Sequence, residues 1–242
     1  MRIDVNIPKD WNEITGTQLT RLAKLFLKYR QKPNFLTRCF FLFSGWQPLR
    51  RRQFVQDKKT YYWFKRGKDK FFISAGLFVS LVKQLEWITS GINIPKSMPP
   101  VVGYRHCNVK LFSVSLEDYL NAENYLNAFT ETEDRKYLGK LFRVFYKPKR
   151  WTFRFFPLSS YRKYAVFLWF TGTRNYLAGK YPYLFSGNSG SGTVAPDEQI
   201  LSLLSALNDG KPHDNERIMK THIHECFYEL NLKIEHAPKN KK

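Results

Sequence analysis

Ser115–Lys147 reads SLEDYLNAENYLNAFTETEDRKYLGKLFRVFYK, and its spacing sets the fold class. Ser115 stands three residues before Asp118, the spacing of a capping box, in which a hydroxyl accepts a backbone N–H at a helix start. Leu116, Leu120 and Tyr125 supply an inner face, while Tyr119 and Glu123 are spaced i, i+4, as are Glu117 and Asn121. The second half, TETEDRKYLGKLFRVFYK, places acids in its first turn and bases later, the order that a helix dipole favours. The stretch therefore predicts helices. The tetrapeptide YLNA occurs at Tyr119–Ala122 and again at Tyr125–Ala128, too short a unit for a solenoid. Its six-residue offset puts the two tyrosines on different faces of a continuous helix. Glu117 and Asp118, side by side at a helix start, read as ordinary ionised groups. Paired acid–base catalysis would need one carboxyl in a dry pocket with a raised pKa.

Helical signals continue on both sides. Leu19, Leu22, Ala23, Phe26 and Leu27 form an apolar stripe behind a cap at Thr15 or Thr17, and Pro33 ends that helix. The apolar NFLTRCFFLFSGW predicts a buried helix with Asn34 as cap, Gly45 at its stop and Cys39 as a core thiol. QPLRRRQF then connects to KTYYWFKRGKDKFFIS, where aromatic arms flank KRGKD and Gly67 can take a positive φ: a β-hairpin. Ser74 caps a helix with Phe78, Leu81, Val82, Leu85 and Ile88 on one face and Gly91 past its end. INIPKSMPPVVGYRH is extended, because its prolines and glycines forbid regular structure. Beyond the opening stretch, PKRWTFRFFPLS is a basic aromatic connection, and Ser159 or Ser160 caps the long helix YRKYAVFLWFTGTRNYLAGK. SGNSGSGT reads as a mobile loop, PDEQILSLLSALNDG as a short amphipathic helix, and Asn215–Ile234 as the last helix. The expected fold is mainly α: six to eight helices in one compact domain over 1–235, subdivided at most near 92–104, with a small β-hairpin near residues 60–73. Residues 236–242 form a polar, flexible tail.

Composition narrows the function. The 242 residues carry a net charge of +20, and 43% hydrophobic content is enough to bury a core, which excludes general disorder. Two blocks hold the excess: residues 28–70 have 13 Lys/Arg against two acids, and residues 135–180 have 12 and none. Such fields attract polyanions or an acidic protein partner. RRR at Arg50–Arg52 and KPKRWTFRFF at Lys147–Phe156 interleave bases with aromatics, which phosphate neutralisation and base stacking require. Arg50, Arg51, Arg52, Lys147, Lys149, Arg150 and Arg154 are thus the candidate nucleic-acid or acidic-partner residues. Three well-separated cysteines argue for a reducing compartment. No secretory signal and no apolar run of about 18 residues is present, so no membrane role is expected.

Catalytic and cofactor signatures are missing. SGNSGSGT follows a helix and lacks the Lys-Ser/Thr pair of a phosphate-binding loop. HIHEC places His222 and Cys226 on one helix face, but a zinc site needs four ligands, so a buried Cys226 with surface histidines is the plainer reading. No G-x-S-x-G elbow occurs. The expectation is a protein with no catalytic residues, no metal and no cofactor.

Four pieces carry a resemblance: IPKDWNEITGTQLTRLAKL, VSLEDYLNAENYLNAFTETEDRKYLGKLFRVFY, RNYLAGKYPYLF, and ILSLLSALNDGKPHDNERIMKTHIHECFYELNLKIEHA. Together they resemble uncharacterised tail-module proteins of tailed bacteriophages and prophages, encoded near the tape measure. The last piece is similar to the end of tail assembly chaperones. The resemblance implies a non-enzymatic phage or mobile-element protein that assists or forms tail assemblies. Its partners would be a tape measure, other tail proteins or its own copies. It implies a place in the bacterial host cytoplasm or the virion. Tyr119, Tyr125, Tyr137 and Tyr181 would supply protein contacts, since interfaces favour aromatic anchors. The basic excess and the hairpin depart from a chaperone, and they keep DNA or RNA binding as the alternative.

Overall fold

The computed structural model describes residues 5, 7–56, 58–150, 158–186 and 203–236, with the backbone alone described at 50–52 and 186. The described chain is mainly helical with a small antiparallel β part. The expected single domain takes the form of two compact units, Met1–Pro100 and Val101–Lys242, divided within the proline-rich extended segment.

In the first unit, Thr15 is the cap of α1 (Gly16–Tyr29): its hydroxyl accepts from Gln18 N, and the Gln18 side chain accepts from Thr15 N in return. Leu19, Leu22, Ala23 and Phe26 are buried as the stripe predicts, whereas Leu27 is exposed. The apolar α2 (Phe35–Ser44) buries Cys39, whose thiol pKa is pushed up to about 12 by that burial. Asn34 precedes α2 but caps no backbone N–H; its side-chain oxygen accepts from Arg38 Nε instead.

Strands β1 (Gln47–Gln56), β2 (Lys59–Arg66) and β3 (Asp69–Ser74) form an antiparallel sheet in that order. Gly67 turns β2 into β3 with φ +60°, the freedom its turn position requires. The connection expected at QPLRRRQF is a strand because β2 offers it a second edge to pair with. Ser74 caps α3 (Ala75–Lys83) through Leu77 N. The helix expected to run on to Gly91 breaks, with bonds from Leu85 N to Val82 O and from Glu86 N to Lys83 O, before α4 (Trp87–Ser90). This tighter turn buries Leu85 and Ile88 and sets Trp87 edge-on to Trp11 at 5.5 Å. The extended segment that follows is tied to the start of α1, where Gly16 N donates to Ser97 Oγ and Lys96 N to Ile14 O.

In the second unit, β4 (Tyr104–His106) pairs with β5 (Tyr146–Pro148). Between them run α5 (Leu116–Thr132) and α6 (Arg135–Phe145). The hydroxyl of Ser115 accepts from Asp118 N, as the capping spacing predicts. Helix α5 is unbroken, so Tyr119 and Tyr125 do lie on different faces. Next come α7 (Ser160–Lys180), whose middle turns bury Tyr164, Ala165, Val166, Leu168, Trp169 and Phe170 at the centre of this unit's core, and α8 (Pro182–Ser186). Ser159 precedes α7 but makes no side-chain cap bond. A helical stretch at 203–207 leads to α9 (Asn215–Lys220) and α10 (Ile223–Glu235). The single last helix expected from Asn215 is divided because Thr221 O accepts from Leu116 N and Ile223 N donates to Val114 O. The backbone there pairs across a short bridge instead of within a helix. These divisions take the helices beyond the six to eight expected. SGNSGSGT past its first residue, the start of PDEQILSLLSALNDG and APKNKK lie outside the described residues.

Candidate nucleic-acid interface

Period-two alternation gives the first unit's sheet two unlike faces. On one, Phe64, Phe71 and Ile73 are buried. Trp46 lies 4.6 Å from Phe71, and Phe78 of α3 lies 5.3 Å from Phe64. On the other face stand Phe54 of β1, Tyr61 and Trp63 of β2, and Phe72 of β3, in register as Phe54↔Tyr61 and Trp63↔Phe72. Phe54 and Tyr61 stack at 5.1 Å and 10°, and Phe72 meets Phe54, Trp63 and Tyr61 at 5.3, 5.2 and 5.7 Å. Phe72 is nevertheless 47% exposed. The rings cover one another: Phe54, Tyr61 and Trp63 are half-buried, and Phe72 is the most open of the four.

Lysines edge this cluster. Lys65 and Lys70 are cross-strand partners next to the Trp63–Phe72 pair, and Lys59 lies on the same face. Neither Lys65 nor Lys70 has an ion-pair partner among the described residues. Like charges directly opposite cost a pair of strands up to about 1 kcal/mol, so the arrangement is not explained by sheet stability. The sheet's acid, Asp69, sits opposite Arg66 on the other face.

The first predicted basic run occupies the edge of this sheet. Pro48 pairs with Phe64 and Gln53 with Tyr62, so the four residues 49–52 oppose Trp63 alone. The backbone of Arg50, Arg51 and Arg52 therefore lies in an irregular bulge of β1. Beside the bulge opens a largely apolar cleft of about 560 Å³, lined by Phe41, Leu49, Gln53, Tyr62, Trp63 and Phe78.

The second basic run lies in the other unit. Lys147 is on β5, with Lys149 and Arg150 just beyond it, all exposed. Arg154 lies outside the described residues. Sequence reading missed Arg105, which β4 places directly opposite Lys147. A single arginine in an extended segment carries no local signal of a partner 42 residues away.

The predicted contact tyrosines divide. Tyr125 and Tyr137 are half-buried beside Lys140, whose Nζ lies 5.5 and 5.6 Å from their ring centres. Tyr119 and Tyr181 are core residues, each 4% exposed, which corrects their expected place at an interface. Tyr119 packs edge-on to Phe170 and Phe227 and donates its hydroxyl to Glu123 at 2.5 Å. Glu123 also meets Arg174 Nε at 3.1 Å. Burial raises the Glu123 pKa against the pull of Arg174 and Tyr119, and it raises that of Tyr119 well above the ordinary value. Tyr181 Oη lies 2.7 Å from His224 Nδ1, and His224 Nε2 lies 2.7 Å from Lys110 O. A carbonyl only accepts, so Nε2 carries the proton and Nδ1 accepts from the tyrosine. His224 is thus buried with both nitrogens engaged, where a surface histidine was expected. Among the described residues no three His, Cys, Asp or Glu side chains gather as a metal site. No helix among those residues is long and apolar enough to cross a membrane.

Compared with known proteins, the chain matches no family model, no curated protein and no solved structure.

Proposed function

We propose that this protein binds single-stranded nucleic acid on the open face of its three-stranded sheet. Bases stack on Phe72 and the neighbouring rings, and the phosphates are met by Lys59, Lys65 and Lys70. One observation carries the reading: an aromatic cluster left open to solvent on a sheet face whose charged residues are all basic. Every base has a π-face and every nucleotide a phosphate, so this pairing of residue types binds single strands with little sequence preference. Stacked bases of a duplex offer no such faces. Titrating a fluorescent oligothymidylate, with the duplex it forms with oligodeoxyadenylate beside it, tests the reading. Preference for the single strand and weakening with salt are expected. Equal binding of the duplex, or binding indifferent to salt, would count against it.

A second reading, assembly with phage tail proteins, comes from the sequence resemblance and is favoured by α3. That helix is strongly apolar, yet it buries none of its residues, and Leu77 and Val79 are each 51% exposed. A partner helix from a coiled-coil tape measure could pack there. Co-expression with the tape measure of the same genome should recover a complex that Leu77→Glu with Val79→Glu abolishes; no complex with the unaltered chain would remove this reading.

A further inference from the structure

In the second unit, α6 runs without interruption into β5, and this fixes where Lys147 falls. The β4–β5 ribbon is anchored on its inner face. Tyr146 stacks on Phe142 at 4.4 Å, and Tyr104 lies edge-on to Phe142 at 5.3 Å. The ladder is extended at both ends by bonds from Cys107 N to Phe145 O and from Lys149 N to Gly103 O. Gly103, at φ +83°, makes the turn that brings Val101 O to Tyr104 N. Register is therefore fixed, and it sets Arg105 against Lys147 on the outer face, both exposed. Lys149 and Arg150 follow, also exposed, and none of the four forms an ion pair among the described residues.

Two cations held opposite each other repel, and no acid among the described residues pairs with them. An oxyanion between them would reverse the sign of that interaction. Arginine offers a planar fork that fits two phosphate oxygens, and lysine offers a point charge beside it. We propose that this ribbon is a phosphate clamp built on Arg105 and Lys147, with Lys149 and Arg150 extending it. Its ligand source, the backbone of a single-stranded nucleic acid, rests on the nucleic-acid reading above; its chemistry does not. The clamp gives the chain a second attachment point, in the other unit, made of phosphate contacts alone, where the sheet combines phosphate contacts with stacking.

The test compares the full chain with Lys147→Glu and with Arg105→Gln. Lys147→Glu places a carboxylate opposite Arg105. In phosphate-free buffer it should raise the unfolding midpoint, and it should abolish the stabilisation that inorganic pyrophosphate gives the unaltered chain. Arg105→Gln should weaken the pyrophosphate effect as well. With oligothymidylate, the slope of log affinity against log salt should fall by about 0.7 for each phosphate contact removed. No stabilisation of the unaltered chain by pyrophosphate, or the same stabilisation in Lys147→Glu, would overturn the clamp. If pyrophosphate acts through Arg105 and Lys147 while no oligonucleotide binds, the clamp stands and the nucleic-acid reading falls.

Discussion

Replacing Gly16 by alanine should destabilise the first unit, although the same change in a helix usually does the opposite. Glycine at a helical position costs up to about 1 kcal/mol relative to alanine. Gly16 opens α1, but a Cβ built on it would lie 1.8 Å from Met98 O and 2.5 Å from Met98 C. Both are backbone atoms of the extended segment, so no side chain can swing aside. Relief needs the two backbones to part by about 1.2 Å or more. That movement strains the bonds from Gly16 N to Ser97 Oγ and from Lys96 N to Ile14 O. Overpacking of this kind costs about 1–3 kcal/mol, more than the helical gain returns. Gly76 in α3 is the control in the same unit: it is exposed, with nothing within 4 Å of its built Cβ. Urea unfolding followed by tryptophan fluorescence should move the midpoint down for Gly16→Ala and leave it unchanged or higher for Gly76→Ala. A midpoint for Gly16→Ala equal to or above that of the unaltered chain would refute the close approach of α1 to residues 97–99.

Other outcomes follow from the second unit and from the thiols. Glu123→Ala leaves the buried Tyr119 hydroxyl without its acceptor and should cost about 1–3 kcal/mol, whereas Glu123→Gln keeps an acceptor and should cost less by thermal unfolding. Burial holds the His224 pKa below its ordinary value of 6.5, so the unfolded chain takes up that proton before the folded chain does. Stability from this group is full above pH 6.5 and is lost as pH falls through the folded value; denaturation midpoints across that range should lose part of their slope in His224→Gln. Burial pushes the pKa of Cys39 and Cys107 up to about 12 and that of Cys226 to about 11. At pH 8 fewer than about one in a thousand of each is thiolate, so an aromatic disulfide reagent should react slowly with the native chain and fully once urea unfolds it.

What the sequence disclosed is what local chemistry controls. Thr15, Ser74 and Ser115 each cap the helix that their spacing announced, because a cap bond closes within three residues. Gly67 marked the β2–β3 turn for the same reason. Strand β1 was hidden because its pairing depends on a partner and its arginine run breaks the alternation at the bulge. The β4–β5 pair joins residues some 40 positions apart, and the break before α10 is made by backbone bonds to Val114 and Leu116. Neither leaves a mark in a window of ten residues. The tyrosines show the same limit for the site: Tyr119 and Tyr125 share the YLNA context, yet one is core and the other half-buried. The composition that marks an interface aromatic also marks a core aromatic, and only packing separates them. The charge blocks located the basic segments, but the open aromatic face of the first unit's sheet required the strand register.

The most direct measurement is the affinity of oligothymidylate for the full chain and for Phe72→Ala, with circular dichroism confirming that both are folded. Phe72 is 47% exposed and contacts Phe54, Tyr61 and Trp63 on the open face. Stacking is worth about 1–3 kcal/mol for each base, so Phe72→Ala should weaken binding by roughly 5- to 150-fold while leaving its salt slope unchanged. Equal affinity in the two proteins would contradict the claim that bases lie on this sheet.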